Sequence, residues 1–131
     1  MSAHAHRIHE RKKLQLNRKI LEILRTVPKE KGFHFNTSLG KYVGETATSL
    51  EAFEKKIQVV PAESINFHIQ RGDFQKWIKN TIGDSVLAKR ISRIESTLPA
   101  EDLRKELLAI VQTRITALKM ELPHRLRHSH S

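Results

Sequence analysis

The chain has 131 residues, with 24 Lys and Arg against 14 Asp and Glu, giving a formal charge of +10 before any of its eight histidines is counted; that length leaves little room for a second domain. Apolar residues at 38% and charged residues at 29% exclude both a disordered polyelectrolyte and a membrane-embedded chain, and the lack of cysteine excludes disulfides, thiolate metal sites and cysteine nucleophiles together. No apolar run approaches the ~18 residues of a membrane span, and the basic start has no hydrophobic region to act as a secretion signal, so a cytoplasmic protein without a membrane span is expected.

Residues 1–13 form a basic, histidine-rich arm. Leu16, Ile20, Ile23, Leu24 and Val27 then follow the spacing of one helical face, which predicts a first helix over about residues 8–26. Phe33, His34, Phe35 and Asn36 alternate in the strand sense, Ser38 to Lys41 reads as a turn, and Tyr42 and Val43 return, so a short hairpin is expected near 33–43. Thr48 with Glu51 fits a capping box, in which hydroxyl and carboxylate each satisfy a free N–H, for a second helix over about 49–58 that buries Leu50, Phe53 and Ile57. Pro61 opens a third helix to about residue 70. Gly72 stops it, and Asp73 is expected to cap a fourth helix over about 74–81. Gly83 and Asp84 repeat this device before a fifth helix over about 85–97, with Val86, Leu87, Ile91 and Ile94 inward. From Pro99 the last helix carries Leu103, Leu107, Ile110, Val111, Leu118 and Leu122 on one stripe and ends by Pro123. Residues 123–131 have no periodicity and read as a disordered tail. The fold class is therefore all-α, with about six helices and one short β-hairpin. A single domain over 14–122 is expected, its core module of about 32–97 flanked by long amphipathic helices.

The central block reads Phe33-x-Phe35, Ala47-x-Ser49-Leu50-x-x-Phe53, Ser64-Ile65-x-Phe67-His68, Asp73-Phe74-x-x-Trp77-Ile78 and Gly83-Asp84-x-x-Leu87-Ala88. That ordered series, over about residues 32–95, resembles an uncharacterised archaeal and bacterial domain family of unknown function. The resemblance implies a mostly helical unit and brings no activity with it.

Function must then come from the residues. Residues 7–31 hold a net +6, residues 32–118 only +2 and residues 119–131 another +2, so the basicity is terminal. Arg7, Arg11, Lys12, Lys13, Arg18, Lys19 and Arg25 are candidate phosphate contacts, because such an arm binds polyanions by charge and counterion release. No aromatic precedes residue 33, which disfavours base stacking by the arm. Residues 61–82 have the outline of a helix-turn-helix, whose second helix would turn Phe74, Trp77, Ile78 and Ile82 inward. Gln75, Lys76, Lys79 and Asn80 would share its outer face, a set suited to phosphates and base edges. The expected function is a small basic binding protein for nucleic acid or a ribonucleoprotein. The alternative is a protein-interaction or homo-oligomerisation module that uses the stripes of the first and last helices.

A third possibility is an enzyme in which His68, near Asp73, acts as a general base, against the blander reading of a histidine bonded to backbone or Asp. No phosphate loop, nucleophile elbow or H-E-x-x-H is present, so no enzymatic activity is expected. Ser2, Ala3 and His4 could offer a square-planar nitrogen set to Cu(II) or Ni(II) if the initiator methionine is removed. His6 and His9, or His124, His128 and His130, are too flexible and too poor in acidic partners for a structural site, and neither a functional metal nor a cofactor is expected.

Overall fold

The computed structural model describes residues 3–127, with side chains from residue 5 onward. Helix α1 (Ala3–Ile23) leads through a 3-10 turn (Lys29–Lys31) into strands β1 (Phe33–Ser38) and β2 (Lys41–Ala47). Helices α2 (Leu50–Lys56), α3 (Ala62–Arg71) and α4 (Asp73–Trp77) follow. A π-helical turn (Ile78–Ile82), α5 (Ser85–Ser92), α6 (Ala100–Glu121) and α7 (His124–Arg127) complete the order. The fold is mostly α with one antiparallel hairpin, as the periodicities predict.

The hairpin is longer than its sequence signal. Phe33 pairs with Ala47 and His34 with Thr46, and irregularities in the register let β2 continue past Val43; Gly44, at φ 84°, supplies the left-handed backbone there. Phe33 and Phe35 point inward and meet Phe53, Phe74 and Trp77 in one aromatic cluster, with Phe33 and Phe35 ring centroids 4.8 Å apart. Burying each such side chain stabilises the fold by about 1.5–3 kcal/mol, so this cluster is the centre of the core.

Several boundaries differ from the sequence reading, each for a local reason. Helix α2 is capped by Ser49, whose Oγ accepts from the Ala52 N–H at 3.1 Å, and Glu51 pairs with Lys119 of α6 instead of closing a box with Thr48. The fourth helix is α only to Trp77. It then widens so that Ile78 and Ile82 are both buried, and the Ile78 carbonyl accepts from Gly83 N at 2.8 Å and Asp84 N at 3.0 Å. Helix α5 ends at Ser92, where the hydroxyl donates to the Lys89 carbonyl at 2.6 Å and competes with main-chain bonding. Val86 is exposed, and Ala88 occupies the inward position beside Leu87 and Ile91. Residues 124–127 form α7 where disorder is expected. Leu126 packs against the core, and Arg127 Nε donates to the Leu122 carbonyl at 2.9 Å.

Helix α6 buries the stripe read from its sequence, with Ile110 only partly covered and Ile115 added to it. Helix α1 joins it only near its own C-terminal end. Asn17, Ile20, Ile23 and Leu24 are buried, whereas residues 5–16 are all exposed, Leu16 at 45% among them. The two long helices are thus partners over a short contact, and the first half of α1 projects from the domain.

Candidate nucleic-acid interface

Arg7, Arg11, Lys12 and Lys13 lie on the projecting half of α1, and Arg18 and Lys19 are exposed on the packed half. Along residues 5–16 the only acid is Glu10. Among the described residues these six cations have no ion-pair partner. Arg25 is different. Half-buried, it donates to the carbonyls of Thr81 at 2.7 Å, Ile82 at 3.1 Å and Glu22 at 2.7 Å, which ties the end of α1 to the π turn. Its donors are engaged within the fold. Ser2, His128 and His130 lie outside the described residues, as does the His4 side chain, and with them the proposed copper or nickel set.

The structure brings Gln75, Lys76, Lys79 and Asn80 together. All four line a groove of about 490 Å³ between α4 with its π turn and α5, whose facing wall is Ser85, Ala88, Lys89 and Ser92. Lys76, Lys79 and Asn80 are exposed and Gln75 is half-buried, while Phe74, Trp77, Ile78 and Ile82 face inward as expected. The corner between α3 and α4 is Gly72 alone, at φ 71°, whereas a helix-turn-helix usually takes about three or four residues there. Gln75 folds back over this corner, so that a Cβ on Gly72 would come within 3.3 Å of the Gln75 amide nitrogen. The outer face of α4 is consequently one wall of a groove. Sequence periodicity could mark that face as polar, but the facing residues Ser85, Lys89 and Ser92 become visible only when α5 packs beside it.

His68 sits inside the domain with both ring nitrogens bonded. Its Nε2 accepts the Asn36 backbone N–H at 2.9 Å, and its Nδ1–H donates to Asp73 Oδ2 at 2.8 Å. Because a backbone N–H is always a donor, this pairing selects the neutral Nδ1–H tautomer. Burial lowers the His68 pKa below the ordinary 6.5 despite the opposing hydrogen bond and charge of Asp73. For Asp73, burial acts to raise the pKa, but hydrogen bonds from His68 and Arg71 together with the Arg71 charge outweigh it and leave the carboxyl below its ordinary value. Asp73 is therefore the first residue of α4 and the partner of His68 and Arg71, with Gly72 in the capping position. Both ring nitrogens are thus engaged within the fold.

One buried polar pair had no sequence signal. Asp84, only 1% exposed, caps α5 through Leu87 N at 3.1 Å, as the sequence predicts, and also accepts two bonds from Arg114 of α6, at 2.8 and 3.1 Å. The cap is local and legible. The arginine lies thirty residues away, and nothing in helical spacing distinguishes it from a solvated surface cation.

Trp77 Nε1–H donates to the Lys31 carbonyl at 2.9 Å, joining the 3-10 turn to α4. No curated protein and no solved structure matches the chain. A family model, described as a family of unknown function (DUF5752), matches residues 30–130, which takes in the hairpin and every helix after α1. The chain belongs to that family, and the basic helix α1 precedes the residues matched.

Proposed function

We propose that the protein is a small basic binding protein that associates with nucleic acid, free or within a ribonucleoprotein, through the cations of α1. The observation that supports this most directly is the projecting half of that helix. Arg7, Arg11, Lys12 and Lys13 stand on a segment that buries no side chain in the domain and carries a single acid. Cations with no internal partner are free to neutralise phosphates, and each one that does so releases condensed counterions. With Arg18 and Lys19 the count reaches six exposed cations on one helix. If all six meet phosphates of a duplex, log K falls against log salt with a slope of roughly −5.

The test compares the full chain with a variant carrying Arg7→Gln, Arg11→Gln, Lys12→Gln and Lys13→Gln. Duplex affinity is measured over a series of salt concentrations. The variant is expected to bind more weakly at every sequence tried, with a slope shallower by about 3–4. An identical slope for the two proteins would remove the arm from the interface.

A further inference from the structure

Resting on that reading, we infer that the groove between α4 and α5 is a second nucleic-acid site, and that it takes an extended single strand in preference to a duplex. Its charge is one-sided. Lys76, Lys79 and Lys89 line it without any acid, and among the described residues none of the three is in an ion pair. Between the lysines stand the amides of Gln75 and Asn80 and the hydroxyls of Ser85 and Ser92, groups that can meet both phosphate oxygens and the edges of unpaired bases.

Shape decides between the two forms of ligand. A duplex is read by an element that protrudes far enough to enter its major groove, about 12 Å wide. Here α4 and its π turn together run over residues 73–82, and Gln75, Lys76, Lys79 and Asn80 on them line a concavity shared with α5. Gln75 is drawn back over Gly72, and its Oε1 is buried without a hydrogen-bond partner. Such a surface can receive a strand and cannot be inserted into one.

The groove also has neighbours on both sides. Gln75 and Ser92 line an adjoining hollow of about 310 Å³ that includes Arg71, and Asn80 lines another of about 460 Å³ that includes Lys31. Across all three hollows the only acid is Glu30. A run of basic hollows that share lining residues suits a chain of phosphodiesters better than a single nucleotide. Trp77 offers no stacking face, because its indole is buried and bonded to Lys31, so phosphate contacts dominate affinity.

The experiment uses the full chain and three probes: a labelled single-stranded RNA oligonucleotide, the same sequence as a duplex, and adenosine monophosphate as a competitor. Lys79→Gln with Lys89→Gln changes two exposed side chains, and unchanged Tm confirms the fold. This variant is expected to lose about tenfold in affinity for the single strand while its duplex affinity stays within about twofold. Ser92→Glu, which sets an acid on the groove wall, should show the same selectivity. Equal losses on both forms, no loss on the single strand, or full displacement by the mononucleotide at comparable concentration would each overturn the proposal. The arm variant run beside these separates the two readings, because its failure to weaken duplex binding counts against α1 and leaves the groove result standing.

Discussion

His68 accepts from a strand and donates to a helix, so its protonation state is coupled to how the hairpin sits on α3. A proton added at Nε2 would confront the Asn36 N–H with a second donor. The folded-state pKa lies below the ordinary 6.5, and the stabilisation from the neutral ring is therefore complete above that value and declines as pH falls through it toward the folded pKa. Asp73 has the same sign at a lower range, since its stabilisation is present above the ordinary 3.8 and is lost on further acidification. Tm should fall between pH 7.5 and pH 5.5, and His68→Gln, whose amide can still donate and accept, should show a flatter dependence over that window. An equally steep fall in the variant would assign the effect to another group. The burial of this histidine and its bonding to backbone or Asp are within reach of the sequence, and both bonds form; that the backbone partner is Asn36 is not, because that strand lies thirty-two residues away. Asp73 looked like a cap because Asp after Gly commonly is one, and only the one-residue corner at Gly72 carries its carboxylate back to the imidazole. The slip from Thr48 to Ser49 is of another kind. Both residues are competent caps, and backbone geometry selects the one at φ −154°.

Among the elements, α1 is the one whose two halves obey different physics. Residues 17–24 are held by packing, and they nucleate the helix, so extending it toward residue 5 escapes the cost of a first turn. Nothing else favours the extension. No side chain in 5–16 is buried, no acid lies in the first turn, and the cations nearest the N-terminus oppose the helix dipole. A polyanion along this face would reverse the last of these terms. Adding inorganic polyphosphate, which is optically silent, should raise far-UV helical ellipticity by up to the twelve residues 5–16, and an unchanged spectrum would contradict the argument. Helix periodicity located α1 but not its first five residues, because a solvated helix has no apolar face to read. Helices whose stripe meets the core, α2, α3 and α6, were legible to within about two residues.

For the whole molecule, the formal charge is +3 over residues 1–16, another +3 over residues 17–31, only +2 over residues 32–118 and +2 over residues 119–131. Over the described residues 5–16 the basic extension contributes no buried side chain. Deleting residues 1–13 should therefore leave Tm within about 2 °C of the full chain, the change expected for surface residues outside the core. A larger drop in thermal denaturation would show that the arm packs on the domain. Charge segregation could be counted from the sequence directly. The groove could not, because it depends on which helices become neighbours. Lys89 belongs to the polar face of α5 and Lys79 to the π turn, and only the packing of α5 against α4 sets them across one hollow.

Arg25 joins these two regions physically. By donating to the Thr81 and Ile82 carbonyls it anchors the base of α1 to the turn that carries Lys79 and Asn80, so arm and groove are held at a set separation. If arm and groove both take nucleic acid, as proposed, then for a chain long enough to reach both the second contact would follow the first as an intramolecular event at a high effective concentration. Two sites joined in this way would act with avidity, and a short oligonucleotide confined to either one would forgo that gain.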